Sequence, residues 1–200
     1  MLWDAETLIS SWERGTRAEA LLELSVPSFS VLSPSFRLYP SVNASVNASL
    51  TDVYTIARNA VAALPSPPSN GTGQPLFLGD SSAGDPASIG VAVLIANWTG
   101  LRDEDYAGAA TAQLEYLFGP EVPKTSDGAI SHRTEQIQLW YVRPLIIKPI
   151  SRLITQCKRL IYRSDSVFMV PPFLAFYGLT TGNQSMLQEA YTQVRSRFSP

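Results

Sequence analysis

The chain has 200 residues, 15 Lys and Arg against 17 Asp and Glu, one histidine and one cysteine, which is enough for a single domain with a sizeable core. Those counts exclude a disulfide framework and thiolate metal chemistry, leave too few ligands for a His-rich metal site, and call for no cofactor. The excess of acid argues against a nucleic-acid partner, whose phosphates need a basic face, and no apolar run reaches membrane-spanning length.

Helical patterns alternate along the chain with Pro/Ser/Gly-rich loops, and no strand ladder emerges, so the expected class is all-α with antiparallel helical pairs. Residues 5–24 read as a helix interrupted near Gly15. Residues 25–49 are a Ser/Pro-rich excursion, too polar and broken for a packed element. Residues 50–64 form an amphipathic helix stopped at Pro65, followed by a second loop excursion over 65–84. Asp85-Pro86 is a helix start, with an acidic N-cap and a proline in the first turn, leading an apolar helix that ends near Gly100. Residues 104–118 are the next helix, and residues 121–134 a loop with a turn at Asp127-Gly128. Residues 164–177 read as a buried helix with Gly178 as its stop. Ser185-Met-Leu-Gln188 is a capping box opening a last helix, with Leu187, Ala190, Tyr191 and Val194 on one face.

Five of the six asparagines stand in Asn-x-Ser/Thr: Asn43, Asn47, Asn70, Asn97 and Asn183. That density predicts passage through a secretory compartment. Met1-Leu-Trp-Asp-Ala-Glu carries no basic or apolar leader, so a misplaced start codon is the preferred reconciliation, with a cytosolic protein bearing idle sequons as the other reading.

A foreign-looking segment divides the most informative stretch. Residues 141–163 hold six of the fifteen Lys and Arg, the only cysteine, Cys157, and no acid; without them nine bases face seventeen acids, a charge of −8. Trp140-Tyr141-Val142 must be encoded by TGG-TAY-GTN, which contains the splice donor GTAYGT. Tyr162-Arg163 can be read from TAY-AGG, which contains an acceptor. Excision restores the Trp codon and runs directly into Ser164 and Asp165, so residues 141–163 are expected to be a retained intron. Against this stands the helical spacing of Ile150, Leu153, Ile154, Cys157, Leu160 and Ile161, which also suits a basic surface helix.

Joined across that segment, His132, Gln138, Trp140, Asp165, Phe168, Met169, Pro172 and Phe173 form a His, Gln-x-Trp-x-Asp, aromatic-Met, Pro-Phe series. This resembles the unsaturated glucuronyl and rhamnogalacturonyl hydrolases, glycoside hydrolase families 88 and 105, in their fungal branch. The gap from His132 to Trp140 is about one residue shorter than in the bacterial enzymes. The resemblance runs from about Ala18 to the end, excluding 141–163. It implies an (α/α)6 toroid of six helical hairpins, of which 200 residues supply about half.

The resemblance also implies a reaction, hydration of the enol ether in a 4,5-unsaturated uronic acid at the non-reducing end of an oligosaccharide. A carboxylic acid protonates C4, water adds at C5, and the hemiketal opens to release the sugar. Asp165 takes the acid/base role, and its neighbours Val167, Phe168 and Met169 would favour the protonated form by desolvation. Asp85 corresponds to the second acid, with Asp80 as its rival, though Asp85 is equally explained as a helix cap. His132 and Arg133 are candidates for the sugar hydroxyls or carboxylate, and equally for solvated loop positions. Gln138 and Trp140 complete the substrate-binding set, Trp140 by stacking on a pyranose or else by core packing. Ser-His-Asp hydrolysis would have to use His132, and the chain has no Gly-x-Ser-x-Gly elbow.

Overall fold

The computed structural model describes residues 10–33, 42–66, 71–126, 128–134 and 167–195. All its regular elements there are helical: α1 (Ser11–Ser25), a 3-10 turn (Pro27–Phe29), α2 (Ala44–Ser49), α3 (Thr51–Ala62), α4 (Gly84–Thr99), α5 (Tyr106–Phe118), α6 (Val170–Thr181) and α7 (Gln184–Arg195). The all-α expectation therefore holds for the described residues, which contain only two isolated β-bridges, Ser82 with Arg133 and Lys124 with Ile130.

Helix α4 is the axis of the packing. Every residue from Gly84 to Ala96 is buried, because its sequence is apolar all round and α1, α3, α5 and α6 each lie against it. Ile89, Leu94 and Ile95 are almost wholly buried, and each such side chain stabilises the fold by about 1.5–3 kcal/mol. Close approach to α4 is made possible by missing side chains. A Cβ on Gly15 would stand 1.8 Å from Ser88 Oγ, and one on Gly90 would stand 2.3 Å from Phe173 Cδ2. Gly15 thus does not interrupt α1, as the sequence suggests; it sits buried inside a continuous helix at the crossing with α4. Contact with α4 outweighs the ~1 kcal/mol helix cost of glycine.

Three further boundaries differ from expectation. The 25–49 stretch is not wholly unpacked: Val26 and Phe29 are buried, the Phe29 ring meets Trp98 edge-on at 5.1 Å, and Asn43 caps α2 by accepting from Val46 N–H at 2.9 Å. Gly178 does not stop α6, which continues to Thr181 and ends at Gly182 with φ of 72°. Gly178 instead lets α7 approach, since a Cβ there would stand 2.8 Å from Leu187 Cγ. Ser185 is not the cap of α7 either. Asn183 Oδ1 accepts from Ser185 N–H at 3.2 Å and Ser185 Oγ–H at 2.6 Å, one residue before the helix begins.

The expected apolar face of α7 is largely present, with Leu187 and Val194 half-buried, and departs from expectation at Tyr191. Ala190 and Gln193 are its buried residues, while Tyr191 is largely exposed. Among the described residues no helix is long and apolar enough to cross a membrane.

Candidate active site

Two irregular segments, 80–83 and 131–134, run antiparallel at the head of α4. Ala83 N–H donates to the His132 carbonyl at 2.7 Å, and Thr134 N–H donates to the Ser81 carbonyl at 3.1 Å. Between these anchors the His132 imidazole is carried over the start of α4. Its Nδ1 lies 3.1 Å from where a Cβ of Gly84 would stand, and Met169 Sδ is 3.6 Å from the same point. A side chain at 84 would press on the ring, which would have to give by a few tenths of an ångström.

Asp85 enters the site because it is not the cap of α4. Ala83 holds the cap position, and the Ser82 hydroxyl accepts from Asp85 N–H at 3.0 Å. This corrects the sequence expectation. With a serine three residues ahead of Asp85 taking the free N–H, the carboxylate turns inward, and its Oδ1 lies 3.4 Å from His132 Nε2. Both side chains are buried, at 8% and 2% exposure, so little water screens the pair. The signal was present in the chain: Ser82-Ala-Gly-Asp85 before an apolar run has the capping-box spacing.

Ser82 Oγ lies 3.4 Å from the same His132 Nε2 and donates to the His132 carbonyl at 3.1 Å. A Ser-His-Asp triad needs the serine and the acid on opposite ring nitrogens. Here Ser82 and Asp85 address one nitrogen, and the hydroxyl proton goes to a backbone carbonyl. The geometry is that of a seated acid–imidazole pair, not of a serine nucleophile.

Asp80, the rival acid, is occupied elsewhere. Its Oδ2 accepts from Ser11 Oγ–H at 2.5 Å and its Oδ1 from Ser82 N–H at 2.9 Å, tying the loop to the start of α1. Arg133 Nη1 donates to Ser81 Oγ at 2.7 Å, in an exposed contact. Asp85 and His132 are therefore brought together, while the Arg133 side chain is tied to Ser81. Asp165, Gln138 and Trp140 lie outside the described residues, as do Asn70 and the 141–163 segment. Of the remaining sequons, Asn43 and Asn47 are exposed and Asn97 and Asn183 half-buried. No group of three or more His, Cys, Asp or Glu among the described residues is placed to hold a metal.

A second feature was not anticipated. An apolar groove of about 430 Å³ runs between α1, α6 and α7, lined by Leu22, Val31, Phe168, Pro172, Phe176 and Tyr191 among others. Glu19 stands in its wall, and its Oε1 has no hydrogen-bond partner among the described residues. Burial, with Glu23 adding like charge, pushes the Glu19 carboxyl up to about 8. No periodicity announces this, because Glu19 occupies an ordinary helical position.

No family model, no curated protein and no solved structure matches the chain.

Proposed function

We propose that the chain is part of an (α/α)6 glycoside hydrolase that hydrates the enol ether of 4,5-unsaturated uronides. In this reading Asp165 protonates C4 and then takes a proton from the attacking water. Asp85 supplies the second carboxylate, His132 and Arg133 contact the uronic acid, and Gln138 and Trp140 complete the subsite. The oligosaccharide is a product of a polysaccharide lyase, and the protein acts outside the cell.

The observation that carries the reading is the meeting of Asp85 and His132. The two are remote in sequence, and the motif resemblance names both for one site. They lie 3.4 Å apart, with Ser82 relieving Asp85 of capping duty. A buried carboxyl next to a buried imidazole is the kind of environment in which enzymes adjust acid–base groups.

The same burial favours a second reading, a non-catalytic helical product that at most binds carbohydrate. With side chains only 8% and 2% exposed, the pair also suffices to lock the 131–134 loop onto α4.

The deciding experiment uses the protein with residues 141–163 excised. It is expected to remove the enol-ether ultraviolet absorbance of unsaturated glucuronyl or galacturonyl oligosaccharides. Asp165→Asn should abolish that change without altering the helical circular dichroism. Unchanged absorbance across both substrate classes would sink the hydrolase reading, and calorimetric sugar binding without turnover would establish the second.

A further inference from the structure

His132 is held from both sides, and the upstream hold comes from the last described helix. Gln193 of α7 is fully buried. Its Oε1 accepts from Ile130 N–H at 3.0 Å, and its Nε2 donates to the Gly128 carbonyl at 2.9 Å and to Glu189 Oε1 at 2.7 Å. Both amide protons and the carbonyl oxygen are thus used, and only one orientation of the carboxamide satisfies them all.

The pattern has a structural meaning. The Gly128 carbonyl and the Ile130 N–H, two residues apart, are the paired acceptor and donor that an antiparallel strand would engage. The stretch already bridges Lys124 on its other side, through Ile130. The Gln193 carboxamide replaces a missing strand with a single side chain. Ala129, Ile130 and Ser131 are almost wholly buried, so without this partner the Ile130 N–H would be a buried, unpaired donor. Two residues further on, the His132 carbonyl meets Ala83 N–H at 2.7 Å. The imidazole therefore sits on a span fixed at one end by α7 and at the other by the head of α4.

We propose that Gln193 is a positioning residue for His132, seating the 128–132 span so that the imidazole meets Asp85. The proposal rests on the reading that this pair belongs to the working site, yet its test requires no turnover. His132 is the only histidine, so an isotope-labelled chain shows one imidazole in its nuclear magnetic resonance spectrum. Asp85→Asn should move the ring's nitrogen and proton resonances in the wild-type background. In a Gln193→Met background, which keeps the volume and removes all three hydrogen bonds, that response should shrink at least twofold while helicity is retained. Ala190→Gly loosens the same helix without touching the carboxamide, and should leave the response at full size.

A full-size response to Asp85→Asn in the Gln193→Met chain overturns the proposal, as does an equal loss in Ala190→Gly. If Gln193→Met does not fold, native-state hydrogen exchange of the unaltered chain decides. Ile130 N–H opening together with the α7 amides supports the positioning role, and Ile130 exchanging independently of α7 overturns it. A chain with intact His132–Asp85 coupling but no turnover in any form removes the hydrolase reading and leaves the role of Gln193 standing.

Discussion

Replacing Glu19 by Gln isolates the charge in the apolar groove and gives stability a defined pH dependence. The Glu19 carboxyl is raised from 4.5 to about 8 by burial first and by Glu23 second. A group whose folded-state value lies above its unfolded one is held in its protonated form by the fold. Its contribution is therefore fully present below pH 4.5 and is lost as pH rises to about 8. At about 1.4 kcal/mol for each factor of ten in proton affinity, the gap of about 3.5 sets a ceiling of about 5 kcal/mol. The side chain lies at the groove wall and keeps some access to water, so about half of that, ~2 kcal/mol, is the working expectation. Thermal melts of wild type and Glu19→Gln should coincide near pH 4.5 and diverge toward pH 8.5. There the variant should melt about 4–8 °C higher, at about 2–4 °C per kcal/mol for a chain of this size. Parallel melting curves across the whole range would refute the assignment of an unpartnered, desolvated carboxyl at this position.

Gly90→Leu should cost about 1–3 kcal/mol or more in denaturant unfolding, because the first added atom already lies 2.3 Å from the Phe173 ring; a neutral change would mean that α4 and α6 do not cross there. Ser82→Ala removes the hydroxyl that accepts Asp85 N–H and should destabilise by about 1 kcal/mol, while moving the His132 resonances; an unmoved imidazole would separate capping from the site. In a secretory host, glycopeptide mass spectrometry should find sugar at the exposed Asn43 and Asn47 and none at Asn97, which lies in the last turn of α4; occupancy at Asn97 would contradict the helix–ring packing of Trp98 on Phe29. Sequencing the transcript across the codons for Trp140 and Ser164 should show the 69 bases for residues 141–163 removed, and their presence in most transcripts would make the segment part of the protein.

Helices α3, α4 and α5 were legible because each carries a strong local signal. The first is amphipathic, the second is a long apolar run ended by Gly100 with φ of 97°, and the third stops before Gly119-Pro120. Errors clustered at glycines and caps. Gly15 and Gly178 read as breaks, yet both serve helix-to-helix contact, and a sequence window cannot distinguish a glycine that frees the backbone from one that admits a neighbour. The candidate site was half legible. Asp85, His132 and Arg133 could be named from motif and spacing, and the hold of Ser82 on Asp85 N–H is local, but the approach of Ser82 Oγ to His132 and the clamp of Gln193 span 50 and 63–65 residues. A glutamine on a helix has no periodic signature that separates a solvated residue from one replacing a strand.

Local chemistry in the sequence alone was enough to determine the class: apolar residues at helical spacing, prolines and glycines at the ends, and no alternating runs, which together leave helices as the economical way to pair the backbone. The sequence also determined the inventory from which any site must be drawn, with one histidine, one cysteine and a modest excess of acid. Only the tertiary structure decided which carboxylate meets that histidine. Asp80 and Asp85 are equivalent as letters, but Ser11 and the Ser82 N–H occupy the first, and Ser82 Oγ releases the second to face Nε2. The same holds for Glu19, whose raised carboxyl follows from three helices closing an apolar groove around it. Desolvation and long-range hydrogen bonds are properties of the assembled surroundings, so no reading of neighbours along the chain contains them.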